Sequence, residues 1–438
     1  MPEPKCIRYS IDGLGKLEFK QAARFPIVAV GLCSLSLVLV KTARDSLFFA
    51  SRDLSELALA FGLIALLASP FAFLHLRLMK RVGCRSARTL VLMVSGIAFI
   101  AISKGIDFNA AWASIGLFVI VPVLFSAIFA GAWLLAGDLL EEADDAEKSW
   151  SYSRIGGSSL LGGTLGGLMG RVMAPVTSPA ALLAVGGVAL LVASAVVIAA
   201  HRRYPLSMFS ASFLTKREER EGGLVPVSTT RLMSVPFIWA LTGVAGLMAL
   251  AGQFIDFQFY AFAQLTGNTS AEFFAGFYTL LNGAALVLQL FAAPAVQARF
   301  GVARALLILP LVLLGSATVV ALSSSLFSRA FLKMSENGLK SAIHRSTWEQ
   351  AFLALHRRSR AVAKVFIDGM SVRTAEGLGA LALYALVCYN ESKLSCLNWL
   401  NWALIGLIVL WIGLTAVLAQ LGCDPVGDTR YQVRLPGS

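Results

Sequence analysis

Apolar residues run along this chain in long stretches, broken by short basic or glycine-containing segments. Many stretches approach the length of about 20 residues that a helix needs to cross the hydrocarbon core of a bilayer. The pattern predicts spans near 25–47, 56–78, 87–103, 111–137, 155–175, 178–200, 236–263, 272–296, 303–323, 325–345, 362–388 and 398–422. That makes twelve spans, of which the third, tenth and eleventh are the least hydrophobic. The expected fold class is all-α, a polytopic membrane protein with twelve transmembrane helices.

Polar positions inside these spans recur at helical spacing. Lys333, Glu336, Asn337, Lys340 and His344 stand at i, i+3, i+4, i+7 and i+11, which at about 100° per residue places them on one stripe. The first span ends with Lys41, Arg44 and Asp45 in a similar pattern, and the seventh carries Gln253, Asp256, Tyr260 and Gln264 on one face. A charge at the bilayer centre costs about 2.5–3.5 kcal/mol on insertion scales, so such stripes must face protein or water. A short surface helix would carry the 331–344 stripe equally well; its apolar surroundings favour a helix that lines a solute pathway. The eleventh span holds Lys364, Asp368, Arg373 and Glu376. Lys364 with Asp368, and Arg373 with Glu376, have the spacing of intrahelical ion pairs, with either a structural or a gating role.

Composition agrees with a membrane chain: 57% hydrophobic and 14% charged residues, with a mean hydropathy of +0.74. The formal net charge of +12 has a topological explanation. With the N-terminus inside, the inner segments hold basic groups such as Lys80, Arg81, Arg88, Arg202, Arg203, Arg217, Arg357 and Arg358. The outer loops keep little more than Arg52, Lys104, Arg171, Arg329 and Lys393. This is the positive-inside asymmetry, and it requires twelve alternating spans with both termini cytoplasmic. The charge therefore gives no support for a nucleic-acid partner. The expected organisation is an N-terminal cytoplasmic segment 1–24, a first six-helix half 25–200, a cytoplasmic linker 201–231, a second half 232–422 and a cytoplasmic tail 423–438. Residues 1–24 lack the apolar core and cleavage site of a signal peptide.

No metal-ligand spacing, nucleophile elbow or phosphate-cradling loop is present, so no enzyme activity, metal or cofactor is expected. Among the six cysteines, Cys388 and Cys396 bracket a predicted outer loop and have a disulfide as one option.

The two halves echo each other weakly. Lys80-Arg81-Val82-Gly83 follows the second span and Ala298-Arg299-Phe300-Gly301 follows the eighth, as basic turns in equivalent places. That suggests a duplicated six-helix unit with its solute site at the interface between halves, near midplane. The fifth span sets Gly162, Gly166 and Gly170 on one face with Gly163 and Gly167 beside them, a surface for close helix packing. Around the expected site, Lys41, Arg44, Lys333 and Lys340 outnumber Asp45, Asp256 and Glu336 by one, which favours an anionic solute.

Several segments resemble the ATP/ADP antiporter (nucleotide translocase) family of intracellular bacteria and plastids, a distant branch of the major facilitator superfamily. They are Lys41-Thr-Ala-Arg-Asp-Ser-Leu, Trp133-Leu-Leu-Ala-Gly-Asp138 with the glycine-rich span after it, Asp256-Phe-Gln-Phe, and the stretch 340–379. The last contains Thr347-Trp-Glu349, Lys364-Val-Phe-Ile-Asp368 and Arg373 in the family's order. The chain departs from the pattern at Arg44 and Glu376, where the nucleotide exchangers have lysine, and it lacks their glutamate inside the fourth span. The resemblance implies two six-helix halves and a major-facilitator-like transporter in the bacterial inner membrane, moving a nucleotide-like anion by antiport. Proton-coupled transport of another organic anion, such as a carboxylate-rich chelator, through Asp45, Asp256 or Glu336 is the alternative. A membrane scaffold or sensor that kept the fold is a third.

Overall fold

The computed structural model describes residues 16–105, 110–140, 145–204, 236–352, 363, 366–367, 371–390 and 392–421. Most of the N-terminal segment and linker, the tail, Lys364 and Asp368 lie outside the described residues. The described chain is helical almost throughout, with no strand. The first half comprises α1 (Lys16–Phe49), α2 (Leu54–Val82), α3 (Cys84–Gly105), α4 (Ala111–Leu140), α5 (Asp145–Met173) and α6 (Pro179–Arg203). The second comprises α7 (Pro236–Leu265), α8 (Ala271–Val287), α9 (Ala293–Leu322), α10 (Leu326–Leu339), α11 (Arg345–Ala351), α12 (Val372–Tyr389) and α13 (Lys393–Gln420). A π turn at Leu288–Ala292 joins α8 to α9, and a second at Lys340–His344 joins α10 to α11, so that α10 and α11 together form the tenth span.

The described residues thus hold twelve helical segments in two six-helix halves, with local differences from expectation. Among the described residues, nine helical stretches are long and apolar enough to cross a membrane unaided, and α3 is one of them. The fifth span falls short instead, because glycine and serine dilute its hydropathy. The tenth is interrupted after 14 residues, and the eleventh carries Arg373 and Glu376. The turn after the second span is real: Gly83 ends α2 at φ 84°, a backbone region that glycine enters without a Cβ clash. Its counterpart is not, since residues 298–301 lie within α9. Cys388 and Cys396 are free thiols.

The duplication is far plainer in packing than in sequence. Within the first half α1 packs on α4, α5 and α6, α2 packs on α4, and α3 packs on α6. In the second half α7 packs on α10, α12 and α13, α8 packs on α10, and α9 packs on α13. Every partner is advanced by six spans. The contacts between halves obey the same rule, because α5 against α8 recurs as α12 against α2.

The bare faces of α5 explain how one helix serves both halves. A Cβ on Gly162 would overlap the carbonyl oxygen of Gly31, and one on Gly166 would stand 2.6 Å from the carbonyl oxygen of Leu35, so this face lies directly on the α1 backbone. Gly163 and Gly167 face α8, where a Cβ would meet Asn282 at 2.7 Å and the Thr279 hydroxyl at 2.5 Å. Missing side chains let helices approach closely in lipid, where packing rather than water exclusion drives association.

One buried ion pair ties α3 to α4. Arg88 is buried, its Nη2 lies 2.5 Å from Asp138 Oδ2, and its Nε donates to the Cys84 carbonyl at 3.2 Å. Gly131 opposite leaves room for the arginine stem. Asp138→Asn removes a charge-assisted contact of about 1.5–3 kcal/mol. Purified variant should therefore melt several degrees lower, and Arg88→Met combined with Asp138→Asn should regain part of the loss. Thermal unfolding in detergent measures both.

Candidate functional site

The polar stripes of α1, α7 and α10 meet between the halves, together with residues of α4 and α8. Asp45 is fully buried at the centre of the first cluster. Arg44 is also buried, and its Nη2 and Nε lie 2.5 and 2.7 Å from Asp45 Oδ1. Neighbours in sequence do not normally share a helix face. Here the guanidinium folds back to the carboxylate and sits over Phe118 of α4, its Cζ 4.2 Å from the ring centroid. The other carboxylate oxygen belongs to the opposite half. Tyr260 of α7 donates to Asp45 Oδ2 at 3.1 Å, Tyr278 of α8 donates to the same oxygen, and the two hydroxyls are 3.0 Å apart. Every polar atom of the Asp45 carboxylate therefore has a partner, as burial demands.

The second cluster lies on α7 and α10. Lys333 pairs with Asp256 of α7 and, at 3.1 Å, with Glu336 one turn along its own helix. Glu336 gives its other oxygen to Lys340 at 3.0 Å. Lys333 and Glu336 are each 4% exposed. Gly252 of α7 faces Glu336, where a Cβ would stand 3.3 Å from Oε1, so the helices come close enough to bury the pair. Asn337 makes only a weak bond, 3.5 Å, to the Lys333 carbonyl and takes no part in the network.

Lys41, one turn before Arg44, lies between the clusters and within electrostatic reach of Asp45, Asp256 and Lys333. Its Nζ sits 4.4 Å above the ring of Tyr278. Among the described residues no carboxylate pairs with it.

Beyond Asp45, toward the α1–α2 turn, the interface is sealed by aromatic rings. Phe49 stacks on Tyr260 at 4.9 Å, Phe48 meets Phe118 at 4.5 Å, and Phe259 stacks on Phe277 at 4.2 Å. Gln264 closes the seal by donating to the Arg52 carbonyl at 2.5 Å. In the other direction the side chains open out: those of Asp256 and Lys340 are 35% and 42% exposed. The site is closed by rings at one end, and its charged side chains are partly exposed away from that seal.

The structure brings Lys41, Arg44, Asp45, Asp256, Lys333, Glu336 and Lys340 together in this region. Arg373 and Glu376 pair at 2.7 Å on α12, at the interface with α2, and not in the central network. His344 leaves the stripe. The π turn changes the helical phase after Lys340, and the imidazole is buried against Trp348 and Trp411 instead. Sequence reasoning missed Tyr278 and Phe118. Tyr278 left a faint signal, being four residues from Asn282 in an apolar helix; Phe118 left none.

No protein-family model matches the chain, and no curated protein is similar to it in sequence. Solved structures are similar over nearly its whole length. A D-xylose–proton symporter aligns with TM-score 0.63 and 12% identity, covering 91% of this chain and 97% of the other. The nucleoside transporter NupG aligns with TM-score 0.62 and 11% identity, covering 91% and 99%. A POT family transporter in complex with 5-aminolevulinic acid gives 0.61 and 12%, covering 91% and 96%. The chain shares its fold with these transporters. At these identities the likeness is one of fold alone.

Proposed function

We propose that the protein is a secondary transporter that moves a small organic anion through the interface between its halves by alternating access. One observation carries this: two charge clusters face each other across that interface, and between them lies Lys41, which has no carboxylate partner among the described residues. A scaffold or sensor would gain nothing from ionic groups that are costly to hold in a membrane. A transporter uses them to replace the hydration of a charged solute. The sealed aromatic end and the accessible opposite end fit one state of an alternating cycle. Rocking about the glycine face of α5 on α8, and about α12 on α2, would open the sealed end. The hydrogen bonds from Tyr260 and Tyr278 to Asp45 cross the halves and must break in that step.

The positive-inside pattern supports both termini and the linker in the cytoplasm, and the resemblance to the antiporter family adds a bacterial inner membrane as the location. The accessible end would then face the cytoplasm. The resemblance of the 41–47 and 340–379 segments to ATP/ADP antiporters gives a second reading, a nucleotide-like solute taken by exchange, against which the pairing of the site's charges argues.

Reconstituted in proteoliposomes and offered nucleotides, organic acids and neutral sugars, the protein is expected to take up one of the anions. Lys333→Ala should reduce that uptake about ten- to a hundred-fold, the loss of one charge-assisted contact in the network. Uptake of neutral solutes alone would overturn the proposal.

A further inference from the structure

The four cations of the site are not equivalent, and their pairing defines what charge a solute must carry. Arg44 and Asp45 cancel each other. Asp256, Lys333, Glu336 and Lys340 form an alternating chain, negative to positive along its length, that also sums to zero. Lys41 remains. Its only direct contact with a counter-group among the described residues is the face of Tyr278, since Asp45 and Asp256 within its electrostatic reach are already bonded to Arg44 and Lys333, and an aromatic quadrupole compensates a cation far less than a carboxylate does. From this pairing we infer that the solute carries a single net negative charge, on a carboxylate or a comparable compact anionic group, and that Lys41 is the side chain that receives it.

A solute with more charge meets two obstacles. Each further negative group entering the interface lacks a free cation among the described residues, and burying an uncompensated charge is strongly unfavourable. Recruiting Lys333 or Lys340 would take a bond from Glu336, which is buried and has no other cation among the described residues. Stripping one partner from a buried ion pair is worse than never forming the pair. Polyphosphates and tricarboxylates are therefore excluded, and small monocarboxylates or similar singly charged metabolites are accepted. Tyr278 extends the consequence across the halves. Its ring covers Lys41 while its hydroxyl holds Asp45, so an anion that draws Lys41 off the ring acts on the contact that keeps the far end sealed.

This inference rests on the transporter reading, and two measurements on the full-length purified protein separate them. The first needs no solute. Lys41→Gln removes a charge with no carboxylate partner among the described residues, so its melting temperature should equal or exceed that of the wild type, whereas Lys333→Gln should melt lower. A drop for Lys41→Gln as large as that for Lys333→Gln would mean that Lys41 has a carboxylate partner, and the inference would fall. The second uses propionate, gluconate, succinate, citrate and ADP as probes of thermal stabilisation and of proteoliposome uptake. Propionate or gluconate should bind at least about ten-fold more tightly than the multiply charged probes. That preference should vanish in Lys41→Gln and survive in Lys41→Arg. Tighter binding of citrate or ADP would overturn the charge class while leaving an anion transporter in place; binding of neutral sugars alone would overturn both. Should none of the probes bind, the solute-free comparison decides.

Discussion

Asp45→Ala is expected to destabilise the protein by about 3–5 kcal/mol, the usual cost of removing one partner from a buried ion pair. Arg44 would keep its place on the Phe118 ring with no carboxylate to answer it. Tyr260 and Tyr278 would lose their shared acceptor at the same time, leaving two buried hydroxyls with only each other. Folded protein recovered in detergent should fall sharply, and transport should be undetectable in what remains. The double variant Arg44→Met with Asp45→Ala removes both charges and should regain much of the stability but none of the transport. Recovery separates a charge-pair effect from simple loss of volume. If the two substitutions prove additive in thermal unfolding, Arg44 does not depend on Asp45 and the cluster is not a unit.

Much of this site was legible in the sequence, for one physical reason. A charge that must avoid lipid is placed by helical phase alone, so the spacing of Lys41, Arg44 and Asp45, or of Gln253, Asp256, Tyr260 and Gln264, was enough to find the inward faces. Each member of the α7 stripe meets a different neighbour: Gln253 reaches Gly379 of α12, Asp256 reaches Lys333, Tyr260 reaches Asp45, and Gln264 reaches the carbonyl of Arg52. Phase carries no record of partner, which is why the cations read as equals and only the structure singles out Lys41. Phase also failed where the helix was irregular. The π turn at Lys340–His344 rotated His344 out of the stripe, and nothing in the residue types announces that turn.

The fold was legible through hydropathy, and its internal symmetry mostly was not. Basic turns suggested duplication, yet one of the two turns is helix. Duplication shows in which helices touch, a property of the folded chain that diverged sequences preserve without preserving residues. Glycine in the fifth span was the exception, because a residue with no side chain announces a close approach even when its partner is unknown. The structure adds that there are two such approaches on adjacent faces of α5, one to α1 within the same half and one to α8 across the halves.

Those two faces should respond differently to the same substitution. Gly162→Val would drive a branched side chain into the Gly31 carbonyl, where the obstacle is backbone and cannot swing aside. Overpacking ordinarily costs about 1–3 kcal/mol, and a clash with main chain belongs at or above the top of that range. The expected result is loss of folded protein, because α1 and α5 form the centre of the first half. Gly163→Val meets the end of the Asn282 side chain, which can rotate away, so the protein should fold. Its transport should still fall, since the face on which one half rocks against the other is no longer smooth. Gly157→Val is the control, with open space around it and no expected change in either property. Membrane yield, thermal unfolding and proteoliposome uptake of the three variants separate these outcomes. Equal yields of Gly162→Val and Gly157→Val would show that α5 does not lie on α1 as described. Full transport by Gly163→Val would remove the α5–α8 face from the transport cycle.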